Sequence, residues 1–186
     1  MSSQQLQVDN IANNLANVNT TGYKRTNLAF QDLYYQTLSA SKRVSGLNSV
    51  TNDGQELQIG HGSRAVSTIR NFSQGTMQET GNPLDLAVNG EGFFQVTMAD
   101  GKIVYTRDGN FQVNSEGLMV TPNGLPLAQM IEIPPDAIAV RITAEGVVSA
   151  QLSNQTDPID VGQIELAKFV NPGGLRAMGD NLYEMT

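Results

Sequence analysis

Four acidic-or-amide plus glycine pairs recur in the middle of the chain at steps of 8, 8 and 7 residues: Asp100-Gly101, Asp108-Gly109, Glu116-Gly117 and Asn123-Gly124. Asp-Gly and Asn-Gly are what two-residue hairpin turns demand, because both central positions take positive φ. Between them lie the β-prone runs KIVYTR, NFQVNS and LMVTP. The spacing predicts an antiparallel meander, and alternation puts Phe94, Val96 and Met98 on one face, continued by Phe111 and Val113. Phe93 and Tyr105 join Phe94 and Phe111 in the expected β core, with Gly90, Gly92 and Gly109 as the turn glycines around it. Further strands are expected at Ile138 to Thr143, with Ile138, Val140 and Ile142 on one face, at Val147 to Leu152, and at Ile164 to Val170. GDNLYEMT, at the end, reads as the start of another strand.

The first 25 residues obey a different period. Val8, Ile11, Leu15 and Val18 follow a 3,4,3 spacing with Ala12 and Ala16 beside them, a helical seam two heptads long. Gly22 supplies the positive φ that ends a helix, placing the stop near Asn17 to Thr20. The remaining surface is Gln4, Gln5, Asn10, Asn13, Asn14 and Asn17, amides in place of Lys and Glu. Four helical asparagines cost roughly 2.5 kcal/mol relative to alanine, so this helix needs partners. Either the stripe lies on its own domain, or, as the amides favour, other helices surround it, since amides hydrogen-bond without the penalty of buried charge.

Residues 26–80 form the linking part. LAFQDLYYQTL spaces Phe30, Leu33, Tyr34 and Leu38 helically but would suit a strand equally; SASKRVSGLNSVTNDGQELQIGHGS is polar with turn signals, an extended arm or hairpin; SRAVSTIRNFSQG alternates like a strand. The expected organisation is a seam helix (1–25), an arm with linker strands (26–80), an outer β domain (81–180) and a return segment (181–186). The fold class is mainly β: an antiparallel, meander or barrel-like domain with an N-terminal helix and a β arm.

Charge and residue types narrow the chemistry. The formal charge is -7 and no Lys/Arg run occurs, which argues against a nucleic-acid partner. Residues 1–43 carry +2 and the rest -9, so the two parts are expected to meet different surroundings. Cysteine is absent and His61 is the one histidine, between two glycines in a loop, so thiolate or histidine metal sites and nucleophile–base pairs have almost no candidates. The start lacks the pattern of a cleaved signal peptide, and no run suits a membrane span. Glu91, Asp100, Asp108, Glu116 and Glu145 each precede glycine, which turn formation explains without catalysis. Gly90-Glu91-Gly92 is too short for a dinucleotide fingerprint, and a calcium loop lacks its ligand spacing. A scaffold with no catalytic residue, cofactor or metal is expected. The competing class is a secreted polysaccharide-binding module, in which Tyr105, Arg107 and Phe111 would offer the sugar-stacking surface.

IANNLANVNTTGYKR (Ile11 to Arg25), NPLDLAVNGEGFFQV (Asn82 to Val96) and YTRDGNFQV (Tyr105 to Val113) together resemble the rod and hook family of the bacterial flagellar basal body. Within it, the arm from about Gln36 to Gly62 and the single β domain are most like distal-rod subunits; a proximal rod or hook subunit is the alternative. The resemblance implies that the N-terminal helix packs on a C-terminal helix and on neighbouring subunits to line an inner tube. The assembly helix would then be Val8, Ile11, Asn13, Asn14, Leu15, Ala16, Asn17, Val18 and Gly22. The β domain would be the outer layer, and the arm would cross neighbours and stiffen a shaft that carries torque across the periplasm. It further implies export through the flagellar type III apparatus without a cleaved signal. The implied partners are copies of itself, proximal rod, hook or hook-junction subunits, the rod cap and the surrounding rings, with no nucleic acid and no membrane insertion. Compared with the family, the chain is expected to begin inside the N-terminal helix and to stop before the C-terminal helix. Met1 to about Thr20 is then expected to be poorly ordered, or to pair through Val8, Ile11, Leu15 and Val18.

Overall fold

The computed structural model describes residues 2–39, 56–60, 62–155 and 157–185. Two compact units result, Met1–Leu15 with Thr26–Arg70, and Ala16–Arg25 with Asn71–Thr186. The segment 16–25, assigned from sequence to the same part of the chain as the seam helix, thus groups with the β residues.

In the first unit, α1 (Ser2–Ala16) is a single helix. Strand β1 (Thr26–Asp32) pairs antiparallel with β4 (Ser63–Arg70), from Thr26↔Arg70 to Asp32↔Ser63, with a register shift at Ala29/Phe30. Beyond the Leu33 N–H to Gly62 C=O bond of 2.8 Å, β2 (Tyr35–Ser39) pairs with β3 (Glu56–Gly60). The segment that suited either helix or strand is therefore extended, and the ribbon starts at Thr26, ten residues before the expected arm. At about 3.3 Å per residue its described length is on the order of 40 Å. The rest of the arm, 40–55, and His61 lie outside the described residues.

In the second unit the largest sheet has five antiparallel strands in the order β12-β5-β6-β14-β13, where β5 is Phe93–Thr97, β6 Ile103–Thr106, β12 Leu166–Ala167, β13 Arg176–Gly179 and β14 Leu182–Glu184. A three-stranded sheet joins β9 (Ala137–Ile142), β10 (Val147–Leu152) and β11 (Ile159–Gln163), and β7 (Gln112–Val113) pairs with β8 (Met119–Val120). Sequence neighbours pair in β5-β6, β7-β8, β9-β10-β11 and β13-β14; β14 on β6 and β12 on β5 are long-range additions. Ile164 to Val170 is not one strand: Leu166–Ala167 is the short edge of the large sheet, and the missed strand β11 lies before it. LYE, expected to start a return segment, is an interior strand of that sheet.

The turns correct the sequence reading in an informative way. Gly101, Gly117 and Gly124 have φ of 82°, 85° and 81°, but the residues before them do not take positive φ. Gly101 N–H donates to Met98 C=O, and Met98 N–H to Lys102 C=O; the same two bonds recur at Asn114–Leu118, Thr121–Leu125 and Thr143–Val147. These are three-residue loops ending in a left-handed glycine bulge. The residue that opens the loop has a side-chain oxygen in three cases: Asn114 Oδ1 accepts from Leu118 N–H at 2.9 Å, and Thr121 and Thr143 Oγ1 accept from Leu125 and Val147 N–H at 3.2 Å. The two-residue turn with both central φ positive occurs at Asp180-Asn181, φ 49° and 58°, where no glycine marked it.

The expected core divides in two. Phe94, Val96, Val104, Phe111, Met119, Leu127, Ile131 and Val148 are buried together, with Phe94 and Phe111 edge-on at 5.1 Å. Successive residues of a strand face opposite ways, so Phe93 sits on the other side of the large sheet, with Leu175 and Tyr183 and the partly buried Phe72, Tyr105 and Phe169. Phe93 meets Phe72 and Phe169 edge-on at 5.5 Å each. Val113 leaves the core altogether. It is 41% exposed because β7 ends there and the chain turns away at Asn114, leaving the side chain at the rim of an open groove with Leu84, Ile133 and Ile138.

Candidate assembly surface

The polar face of α1 is engaged within its own unit. Asn10 Nδ2 and Asn14 Nδ2 each donate to Thr26 C=O at 2.9 Å. Thr26 N–H donates to Asn14 Oδ1 at 3.0 Å, and its hydroxyl to Asn10 Oδ1 at 2.6 Å. Two amides one helical turn apart thus hold every polar group of one residue at the start of β1. Farther up, Ser63 Oγ donates to Ser3 Oγ at 3.4 Å. Ser3, Asn10 and Asn14 lie at i, i+7 and i+11, one line along a helix. Eleven residues of helix rise about 16 Å, and the six steps from Thr26 to Asp32 about 20 Å, so helix and ribbon match in length. The expectation that the amides face other helices is therefore overturned for Asn10 and Asn14, whose partner is the ribbon. Asn13 is exposed; Asn17 is half-buried, and its Oδ1 accepts from Thr20 Oγ1 at 3.3 Å.

The apolar stripe does not lie on its own unit either. Val8, Ile11 and Leu15 are 63%, 57% and 69% exposed, and Ala16 is exposed as well. Val18, in the second unit, is also exposed. At 100° per residue the stripe of Val8, Ile11 and Leu15 is centred about 110° round the helix from Asn10 and Asn14.

Within the second unit, the turn after the helix docks on the RDGN loop. Thr21 Oγ1 donates to Asp108 Oδ1 at 3.0 Å and accepts from Asn110 Nδ2 at 2.9 Å; Thr21 C=O accepts from Asn181 Nδ2 at 2.9 Å. Gly22 has φ +68°, and a Cβ there would come within 2.6 Å of Asp108 N. Two separate reasons require glycine. At the same loop, Leu86 N–H donates to Gly109 C=O at 2.9 Å and Asp85 bridges Asn110. Gly109, with no left-handed φ, is pressed so closely on Leu86 C=O that a Cβ would overlap that oxygen. Gly90 and Gly92 shape the turn into β5 at φ 100° and 151°. The three sequence motifs therefore share a physical cause: NTTGYKR and NPLDLAV both close on RDGN. Nothing in their spacing revealed this, since the contacting residues are some 20 to 90 positions apart.

Two cations sit near the junction. Lys24 Nζ donates to Ser73 C=O at 2.9 Å, and its pKa is held below the usual lysine value by burial first and by the Arg107 charge second. Burial likewise lowers Arg107, against the opposing pull of Glu91 and Tyr183; its guanidinium lies 5.0 Å from the Phe93 ring centre and its buried Nε has no hydrogen-bond partner. Glu91 is exposed and paired with Lys168 at 2.7 Å, a hydrogen bond that lowers its pKa.

This arrangement offers little to a substrate. Asp108 is occupied by Thr21 and Asn110, and Asp85 by Thr80 and Asn82. Among the described residues no cluster of His, Asp or Glu could hold a metal ion, and no helix is long and apolar enough to cross a membrane. The sugar-stacking alternative loses its platform: Phe111 is 1% exposed, and Tyr105 packs edge-on to Phe169 at 4.7 Å. The helix is held by its polar face with its apolar stripe exposed, and the marked residues of the β unit are engaged in holding their own chain, the pattern of a structural subunit.

Comparison with known proteins agrees. Residues 1–24 match the family described as flagella basal body rod protein, and residues 87–150 the flagellar hook protein FlgE/F/G D1 domain. The chain is 45% identical to the flagellar basal-body rod protein FlgG of Buchnera aphidicola subsp. Schizaphis graminum, covering all of this chain and 71% of that one. It is 42% identical to FlgG of Borreliella burgdorferi, over all of this chain and 70% of that one. With the basal-body rod protein FlgF of Caulobacter vibrioides it shares 37% identity, over 97% and 67%. The chain belongs to the flagellar basal-body rod family, whose members are structural proteins of the flagellar basal body.

Proposed function

We propose that this chain is a subunit of the distal rod, assembling helically with copies of itself into the shaft between the motor and the hook. The observation that supports this most is the exposed stripe of Val8, Ile11 and Leu15 on a helix already fixed by its other face. Covering those three side chains against neighbouring helices would contribute about 3–6 kcal/mol per subunit, repeated along the filament. The residues carrying assembly are Val8, Ile11, Leu15 and Val18; Asn10, Asn14 and Gly22 place them. The distal rather than proximal assignment rests on the length of the β ribbon, which would reach across neighbouring subunits. The two ends of the rod adjoin proximal rod and hook or hook-junction subunits, with the rod cap and basal-body rings around it. The subunit travels through the flagellar type III apparatus to the periplasm, and its role is mechanical rather than catalytic.

Leu15→Asp, introduced into the full-length protein in cells lacking their own copy, is expected to abolish rod assembly and swimming while the β unit stays folded. Normal motility of those cells would refute the seam.

A further inference from the structure

The asparagines of α1 are costly in a helix, and the structure shows what two of them accomplish. Together Asn10 and Asn14 satisfy the N–H, C=O and hydroxyl of Thr26 through bonds of 2.6 to 3.0 Å. An apolar contact would leave α1 free to roll about its axis, whereas these bonds are directional and admit one rotation. Ser3, on the same line, touches Ser63 of β4 and blocks pivoting about a single point. The apolar stripe, about 110° away round the helix, is consequently turned off the ribbon. Left to the hydrophobic effect alone, Val8, Ile11 and Leu15 would roll onto the uncovered apolar residues of the ribbon, among them Phe30 and Val66, which are exposed.

We infer that the Asn10–Asn14–Thr26 clasp is a positioning device that holds α1 in the rotation that keeps its apolar stripe away from its own ribbon and available to other chains. This rests on the seam reading above. None of the three residues belongs to the seam itself; they act by setting its direction.

Ordinary secondary-structure preference and the clasp predict opposite signs, which makes the test sharp. Alanine is a better helix former than asparagine, and valine a better strand former than threonine or serine. Helix preference alone would have Asn10→Ala/Asn14→Ala strengthen α1, whereas loss of the clasp should lower hydrogen-exchange protection of the Thr26 amide at least tenfold in the 186-residue chain. In the full-length protein it should reduce swimming at least tenfold. Thr26→Ser, which preserves all three polar groups, should behave as the parent; Thr26→Val, nearly isosteric but lacking the hydroxyl, should be impaired. If Thr26→Val matches or surpasses the parent while Thr26→Ser falls below it, Thr26 is only a strand residue and the clasp is refuted. Leu15→Asp in the same assay separates the two claims. Should it abolish swimming while Asn10→Ala/Asn14→Ala swims normally, the clasp falls and the seam stands; should Leu15→Asp swim normally, the seam falls, and the Thr26 amide still reports whether the clasp fixes the helix.

Discussion

Asp100-Gly101 and Asp108-Gly109 are the same dipeptide, and the structure predicts that replacing their glycines has unlike consequences. Gly101 sits at φ +82° with open space where a Cβ would go. Alanine there costs only the strain of the left-handed conformation, about 1–2 kcal/mol, and asparagine, which visits that conformation readily, costs less. Gly109 has an ordinary φ and no space. Its Cβ would overlap Leu86 C=O, a backbone atom that moves only if residues 85–86 separate from 109–110. Such a displacement costs about 1–3 kcal/mol in packing and a further ~1 kcal/mol through the stretched Leu86 N–H to Gly109 C=O bond. The sum is about 2–4 kcal/mol for Gly109→Ala, and Gly109→Asn should be at least as severe. Urea unfolding followed by tyrosine fluorescence, through Tyr105 and Tyr183 of this unit, measures it. With a slope of about 2 kcal/mol per molar, Gly109→Ala should lower the midpoint by roughly 1–2 M. If Gly109→Ala costs no more than Gly101→Ala, or if asparagine restores position 109, close approach is not the reason for that glycine.

Phe111→Ala should destabilise the β unit by about 3–5 kcal/mol, whereas Val113→Ala, two residues on and at the rim, should cost under about 1 kcal/mol; the same unfolding assay compares them. Asn181→Ala loses the bond to Thr21 C=O and puts alanine, which tolerates the left-handed region less well than asparagine, at φ +58°, for an expected loss of about 2–3 kcal/mol. Arg107→Gln removes the second cause of the low Lys24 pKa, so the Lys24 value should rise toward 10.5 without reaching it, because burial remains; an NMR titration of the Lys24 side chain reads this. The folded pKa of Lys24 lies below its unfolded one, so the unfolded chain binds more protons between the two and this group's contribution to stability should grow as pH rises through that window toward 10.5. Arg107→Gln should narrow the window.

The residues themselves determined that the middle of this chain is antiparallel β and its start a helix, because turn glycines and period-two or 3,4,3 spacing act over a few positions. They also marked Phe94, Val96 and Phe111 as core. The local pattern misled where a residue's role depends on what arrives from elsewhere. Phe93 and Phe94 looked like parts of one core, yet they serve two, since Phe72, Phe169 and Leu175, from distant parts of the chain, pack with Phe93 on the sheet's other face. Val113 continued the alternation, yet it lies at the open rim of a groove. Asp108-Gly109 resembled its periodic neighbours, yet it is the seat on which two distant motifs close. The asparagines of α1 announced a helix needing partners; only the folded chain reveals that two of them grip Thr26 and that the apolar stripe is left exposed. Spacing along the sequence fixes which side chains share a face, but the identity of what meets that face is set by contacts between residues far apart in the chain.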